Sequence, residues 1–116
     1  MVNLNLNLFK KSIERGEIYW VTDLAEEKLY PCLVISNNIQ NNISKFIIVL
    51  PITTRDFPLV PFHTQIILER KPAKIMAEKL HLLDLTKLNL ENYQGKIDQE
   101  TMKEVEKSLS LVLNLT

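Results

Sequence analysis

Lys74-Ile75-Met76-Ala77-Glu78-Lys79-Leu80-His81-Leu82-Leu83-Asp84-Leu85-Thr86-Lys87-Leu88 is the stretch on which the reading of this chain turns. Its first half, 74–80, alternates imperfectly, with Ile75 and Ala77 set against Met76 and Glu78, and reads as a strand. Asp84 then offers an N-cap oxygen for a short turn of helix through Leu88. Upstream, Phe62 to Leu68 reads as another strand, interrupted by Thr64 and Gln65, and Phe46 to Ile52 is a continuous apolar run with the composition of a strand buried on both faces. Pro58 and Pro61 make the link between those two irregular.

Further upstream, the Asn-rich stretch Asn37, Asn38, Asn41 and Asn42 reads as a loop, and Pro31 to Ser36 as a short apolar strand. Before it come a polar link, Asp23 to Lys28, and an opening strand, Glu17 to Val21, set up by the turn signal Arg15-Gly16. Downstream, Gly95 marks a turn or bulge. From Asp98 the period changes: Met102, Val105, Leu109 and Val112 recur at three- and four-residue spacing, which predicts one amphipathic terminal helix. Five short strands, a closing helix and no βαβ alternation predict an α+β domain built on a small, bent antiparallel sheet or barrel.

With 116 residues the chain has room for one core of ordinary size. A hydrophobic content of 46% with only 2 Gly excludes disordered and fibrous classes. Fourteen basic residues balance 14 acidic ones, so no overall field draws the chain to nucleic acid or anionic membrane, and any polyanion site must be local. Between residues 69 and 87, five cations (Arg70, Lys71, Lys74, Lys79, Lys87) outnumber three acids (Glu69, Glu78, Asp84). Residues 91 to 107 carry five acids against three lysines, which makes the terminal helix a poor polyanion surface. A single cysteine, Cys32, excludes a disulfide framework and a cysteine-rich zinc site, and fits a reducing compartment. No stretch approaches the roughly 20 apolar residues of a membrane span. The N-terminus lacks the core of a secretory signal, so a cytoplasmic location without membrane contact is expected. In residues 1–14, Leu4, Leu6 and Leu8 alternate with Asn, a pattern open to an added edge strand or a short packing helix.

In this order, four stretches resemble the MazF/PemK family of toxins from bacterial toxin and antitoxin pairs. They are Arg15-Gly16-Glu17-Ile18-Tyr19, Pro31 to Asn38, Pro51-Ile52-Thr53-Thr54, and above all Ile75 to Leu88, with Gly95, Met102 and the terminal helix following in register. The likeness covers about residues 15 to 113, which divides the chain into an N-terminal extension, 1–14, and a toxin domain, 15–116. It implies a small SH3-like antiparallel β-barrel with a C-terminal helix and a homodimer. It also implies an acidic, partly disordered antitoxin as partner and metal-independent, cofactor-free cleavage of single-stranded RNA. Two other readings stay open on the same fold: a binding module that holds an antitoxin-like peptide or an RNA, and a gyrase inhibitor like the structurally related CcdB toxins.

RNA cleavage of this kind needs a base for the 2′-hydroxyl, an acid for the departing 5′-oxygen and donors for the phosphate. The resemblance assigns Thr53 to the threonine that ends the third strand, and Glu78 to the family's acid. At residue 30, where relatives carry Arg before the second-strand Pro, this chain has Tyr, which brings one hydrogen-bond donor and no fixed charge. The loop before it is shortened to residues 24–30. Relatives carry Gln and Arg at the positions of Lys79 and His81, so His81 is the candidate for proton transfer. Arg15, Thr54, Lys79 and Trp20 complete the expected RNA contacts. Tyr19 and Trp20, being adjacent on a strand, must face opposite ways. Each assignment has a plain structural counterpart: a β-branched strand end for Thr53, a Glu78–Lys79 pair at a rim, a cap for Tyr30. For His63 and Cys32 packing is the expected role. Neither the two histidines nor the acids show a metal-binding spacing.

Overall fold

The computed structural model describes residues 12–23 and 28–115. The chain runs β1 (Glu17–Asp23), β2 (Lys28–Val34), α1 (Asn38–Ile43), β3 (Phe46–Thr53), β4 (His63–Leu68), β5 (Lys71–Met76), a 3-10 turn at Ala77–Lys79 and β6 (His81–Asp84). Two further 3-10 turns, Leu85–Lys87 and Leu90–Asn92, lead to β7 (Tyr93–Lys96) and α2 (Gln99–Leu113). The strands form one antiparallel sheet in the order β4-β5-β3-β2-β1-β7, with β6 also beside β3.

Side-chain alternation along the strands divides the apolar residues between two faces. Ile18, Leu33, Leu50, Ile52 and Ile75 form one cluster, which α2 closes by inserting the fully buried Val105. Tyr19, Val21, Cys32, Val34, Ile47 and Val49 form the other, closed by Ile13 and by Leu85, Leu88 and Leu90 of the 3-10 segment. Each fully buried Leu, Ile or Val contributes about 1.5–3 kcal/mol. Packing of this kind, rather than helix propensity, is what holds a 15-residue helix in place. The result is a curled antiparallel half-barrel with a C-terminal helix, the α+β architecture expected.

Local chemistry sets the joints. Gly16 has φ +95°, a conformation that side-chain-bearing residues rarely adopt. There its N–H donates to Val34 and its carbonyl accepts from Ile97, tying the start of β1 to the end of β2 and to the residue that follows β7. Gly95 is the bulge: Ile18 pairs with Gly95 but Tyr19 with Tyr93, so Gln94 is the extra residue. The carboxylates of Asp98 and Asp84 cap α2 and the turn after β6, accepting from the Thr101 and Thr86 N–H groups.

Three sequence expectations are corrected. The Asn-rich stretch is a helix, not a loop. Asn37 caps it by accepting from the Gln40 N–H, and Asn41 is buried with its amide donating to the Ser36 carbonyl. The strand expected over 74–80 stops at Met76, and Glu78 lies on a 3-10 turn. Ile52 faces Ile75 while Val49 faces His81, so three residues on β3 correspond to six on the other side and the turn loops out the excess. Strand β7 was not anticipated, and Gly95 within it was the only sequence sign. The alternating Leu4, Leu6 and Leu8 and the polar link 24–27 lie outside the described residues.

Candidate functional site

The register of three neighbouring strands lines up one polar row: Thr53 at the end of β3 pairs with Lys74 of β5, and Lys74 pairs with Gln65 of β4. Partnered residues share a sheet face, so all three project from the same side. In the next row Met76 pairs with His63. On β2, Tyr30 lies two residues beyond the Cys32–Pro51 pair, as Thr53 does on β3, which puts both on the face of Cys32 and Val49. His81 of β6 pairs with Val49 and joins this face.

A cleft of about 430 Å³ opens beside the row, lined by Thr54, Arg55, Phe57, Gln65 and Lys74 among others. The Thr53 hydroxyl oxygen accepts from the Arg55 N–H at 3.1 Å, which turns the chain into the cleft wall. Lys74 is nearly buried. Its ammonium donates to the Phe57 carbonyl and lies 4.1 Å from the centre of the Phe57 ring. A buried cation held by one carbonyl and an aromatic face attracts a phosphate strongly because little water screens it.

The 3-10 turn places two titratable pairs at the end of this row. Glu78 reaches back to His63, whose Nε2 is 2.9 Å from each carboxylate oxygen. The His63 side chain is only 5% exposed, between the edges of Phe57 and Phe62, and its Nδ1 has no partner. This is a carboxylate oriented by an imidazole, an arrangement suited to proton transfer. On the other side of the turn, His81 Nδ1 lies 2.9 Å from the Lys79 carbonyl and Nε2 lies 3.3 Å from the Tyr30 hydroxyl. Burial pushes the neighbouring Cys32 thiol up to about 12, an effect the Tyr30 hydrogen bond only partly offsets, so Cys32 is a neutral packed thiol.

Of the residues expected from sequence, Tyr30 and His81 are in contact, Thr54 lines the cleft, and the Thr53 hydroxyl holds the backbone of cleft-lining Arg55. Glu78 is paired with His63 and not with Lys79, which is exposed and contributes its carbonyl to His81. Arg15 and Trp20 are placed elsewhere. The Arg15 guanidinium donates to the Ile35 carbonyl and to Glu106 of α2. Half-buried Trp20 pairs with Pro31 across β1 and β2, which puts it on the face opposite Tyr30. With the Gln94 amide turned so that its oxygen faces the indole, Trp20 Nε1–H donates to it at 3.2 Å. Sequence reasoning missed His63 as a partner of Glu78, and Lys74 altogether. The signal for Lys74 was a lysine inside the otherwise apolar run 73–77. Among the described residues, no group of three or more His, Cys, Asp or Glu is placed to hold a metal ion, and no helix is long and apolar enough to cross a membrane.

A half-barrel carrying these groups along one face defines the class, and comparison with known proteins supplies the family. The family model described as PemK-like, MazF-like toxin of type II toxin-antitoxin system matches residues 14–113. The chain belongs to that family. A search of curated proteins found no match. Among solved structures, a mycobacterial endoribonuclease in complex with its cognate antitoxin superposes with a TM-score of 0.79 at 23% identity, covering 90% of this chain and 97% of that one. A second mycobacterial endoribonuclease gives 0.75 at 22%, covering 91% and 95%. A chain of a MazE-MazF crystal structure from Deinococcus radiodurans gives 0.75 at 18%, covering 92% and 100%. At these identities the structural likeness concerns the fold.

Proposed function

We propose that this chain is an endoribonuclease toxin that cleaves single-stranded RNA without a metal ion, is neutralised by an antitoxin protein with an acidic, partly disordered tail, and works as a cytoplasmic homodimer. The family match from residue 14 supports one toxin domain over 15–116, with 1–14 as an extension. Solved relatives of the same fold are described as endoribonucleases, one of them bound to its cognate antitoxin. The observation that carries the reading is the row Thr53, Lys74 and Gln65 beside the cleft, with the Glu78–His63 pair at the adjoining row of β4 and β5.

The chemistry follows from those positions. Glu78, oriented by His63, takes the proton of a 2′-hydroxyl; the 2′-oxygen bonds to phosphorus and the bond to the 5′-oxygen breaks. The departing oxygen gains a proton from the site, leaving a 2′,3′-cyclic phosphate and a 5′-hydroxyl. Thr53 and Lys74 supply a hydroxyl donor and a positive charge for the phosphoryl oxygens, where charge develops. Purified protein incubated with a broad panel of RNAs in EDTA tests this: product from wild type and none from Thr53→Ala is expected. No product from any RNA would sink the reading.

One observation favours a second reading, that of a binding module which has lost catalysis: residue 30 is Tyr and carries no fixed charge. Tyr30→Arg separates the two, since a dormant scaffold gains cleavage whereas a working enzyme gains none near neutral pH.

A further inference from the structure

We propose that the cleft beside the Thr53–Lys74–Gln65 row is a guanine-selective subsite, in which Arg55, Asp56 and Gln65 take the base next to the scissile phosphate. The inference deepens the RNA-toxin reading and rests on it only for the place of that base in an RNA chain. It comes from polar groups that the fold leaves unspent. The cleft, about 430 Å³, has the size of a small-molecule site and lies between the loop after β3 and the strands β4 and β5. Arg15 is spent on Glu106, Lys96 on Glu14, and Lys74 on the carbonyl and ring of Phe57. Arg55, Asp56 and Gln65 all line the cleft, and among the described residues their side chains make no hydrogen bond or ion pair.

The unspent set has a definite chemistry. A guanidinium only donates, a carboxylate only accepts, and an amide can do both. Guanine answers this set at two neighbouring edges. Its O6 and N7 accept from Arg55, while N1–H and N2–H₂ stand side by side and donate to the two oxygens of Asp56. The Gln65 amide adds a donor and an acceptor. The other bases meet the carboxylate badly: adenine and cytosine present an amino group beside a bare ring nitrogen, whose lone pair repels it, and uracil presents one N–H between two carbonyls.

Two contacts tie this subsite to the reacting phosphate. The Thr53 hydroxyl oxygen accepts from the Arg55 N–H, so the residue assigned to the phosphoryl oxygens also anchors the wall that carries Arg55 and Asp56. Lys74 holds the same wall through Phe57, so the loop is set before a base arrives and less ordering is lost on binding. Gln65 shares the sheet face of Thr53, and His63, two residues away on that face, orients Glu78. A nucleotide seated in the cleft has the proton-transfer pair one strand row away.

Two measurements test the proposal without needing cleavage. Proton–nitrogen correlation spectra of ¹⁵N-labelled protein are recorded during titration with each of the four nucleoside 5′-monophosphates. GMP is expected to move the Gln65 side-chain amide and Arg55 Nε–H signals and to bind about fivefold or more tightly than the others. Binding is then compared for two fully 2′-O-methylated hexamers, which have no 2′-hydroxyl to attack: hexauridylate and the same chain with one central guanine. Wild type should prefer the guanine chain about tenfold, the usual size of one bidentate pair. Asp56→Asn should lose that preference, because an amide cannot accept from both guanine donors, and should melt near wild type because Asp56 is exposed. Equal binding of the four nucleotides, GMP-induced shifts away from the cleft, an undiminished preference in Asp56→Asn, or no binding at all overturns the proposal. If the preference is present and unmodified RNA is never cleaved, the subsite stands and the nuclease reading fails. Cleavage indifferent to guanine keeps the nuclease reading and removes the subsite.

Discussion

His63 and His81 are the only histidines of the chain, and the same 3-10 turn serves both in opposite ways. To His63 it offers the side chain of Glu78, a charge; to His81 it offers the backbone carbonyl of Lys79, a dipole. His63 sits almost fully buried between two phenylalanine edges, so its ring can do little except orient the carboxylate. His81 is half-exposed, with its second nitrogen on a phenol, so its ring stays open to solvent. The difference teaches that a histidine's role is set by what meets each ring nitrogen, not by its presence near a site.

The largest effect should come from the buried side. Glu78→Ala is expected to lower RNA cleavage by about 10²–10⁴-fold, the usual contribution of a general base. It also strips His63 of its one partner, at a stability cost of about 1–3 kcal/mol. Glu78→Gln keeps an oxygen for His63 Nε2–H and should melt near wild type while remaining inactive. Cleavage by Glu78→Gln within a few-fold of wild type would show that orientation by His63 serves the fold alone.

A smaller effect is expected on the exposed side. His81→Ala, which removes the hydrogen bond to Tyr30, should slow cleavage by no more than about tenfold. Its melting temperature should stay within a few degrees of wild type, because a half-exposed ring buries little surface. A large drop in melting temperature with unchanged cleavage would reverse the contrast between the two histidines.

The smallest effect concerns acid unfolding, away from both histidines. The Thr101 backbone and side-chain hydrogen bonds hold the Asp98 carboxyl below the usual carboxylate range. A carboxylate with a depressed folded value contributes stability that is present above its unfolded pKa, about 3.9, and is lost as pH falls through the folded value. Asp98→Asn, a good cap that does not titrate, should leave the melting temperature at pH 7 nearly unchanged. Between about pH 4 and 2 its melting temperature should fall less steeply than that of wild type. Parallel thermal melts of the two proteins over that range would check this, and parallel slopes would show that the cap's charge is idle.

Much of the fold could be read from short-range pattern. The apolar run Phe46 to Ile52, the Asp84 and Asp98 caps and the three- and four-residue spacing from Met102 each depend on neighbours a few residues away. The structure agrees with them within a residue or two at the ends. Asn38–Ile43 was not legible, because asparagine is a poor helix former by propensity and only the burial of Asn41 against Ser36 compensates. The break between β5 and β6 was hidden for a related reason: 77–79 carries on the imperfect alternation of the preceding strand, and only the mismatch of register against β3 forces the turn. Of the candidate site, residue types were legible at Tyr30, Thr53, Glu78 and His81, but not their partners.

Taken alone, the order of residues decided an all-antiparallel domain with one closing helix, because alternation, helical period and capping are properties of adjacent positions. Only the tertiary structure decided that residue 30 would meet residue 81, that residue 63 would meet residue 78, and that Lys74 would stand between Thr53 and Gln65. Those meetings depend on how strands far apart in the chain are aligned. That alignment is set by the burial of two apolar faces together, which no local stretch of sequence contains.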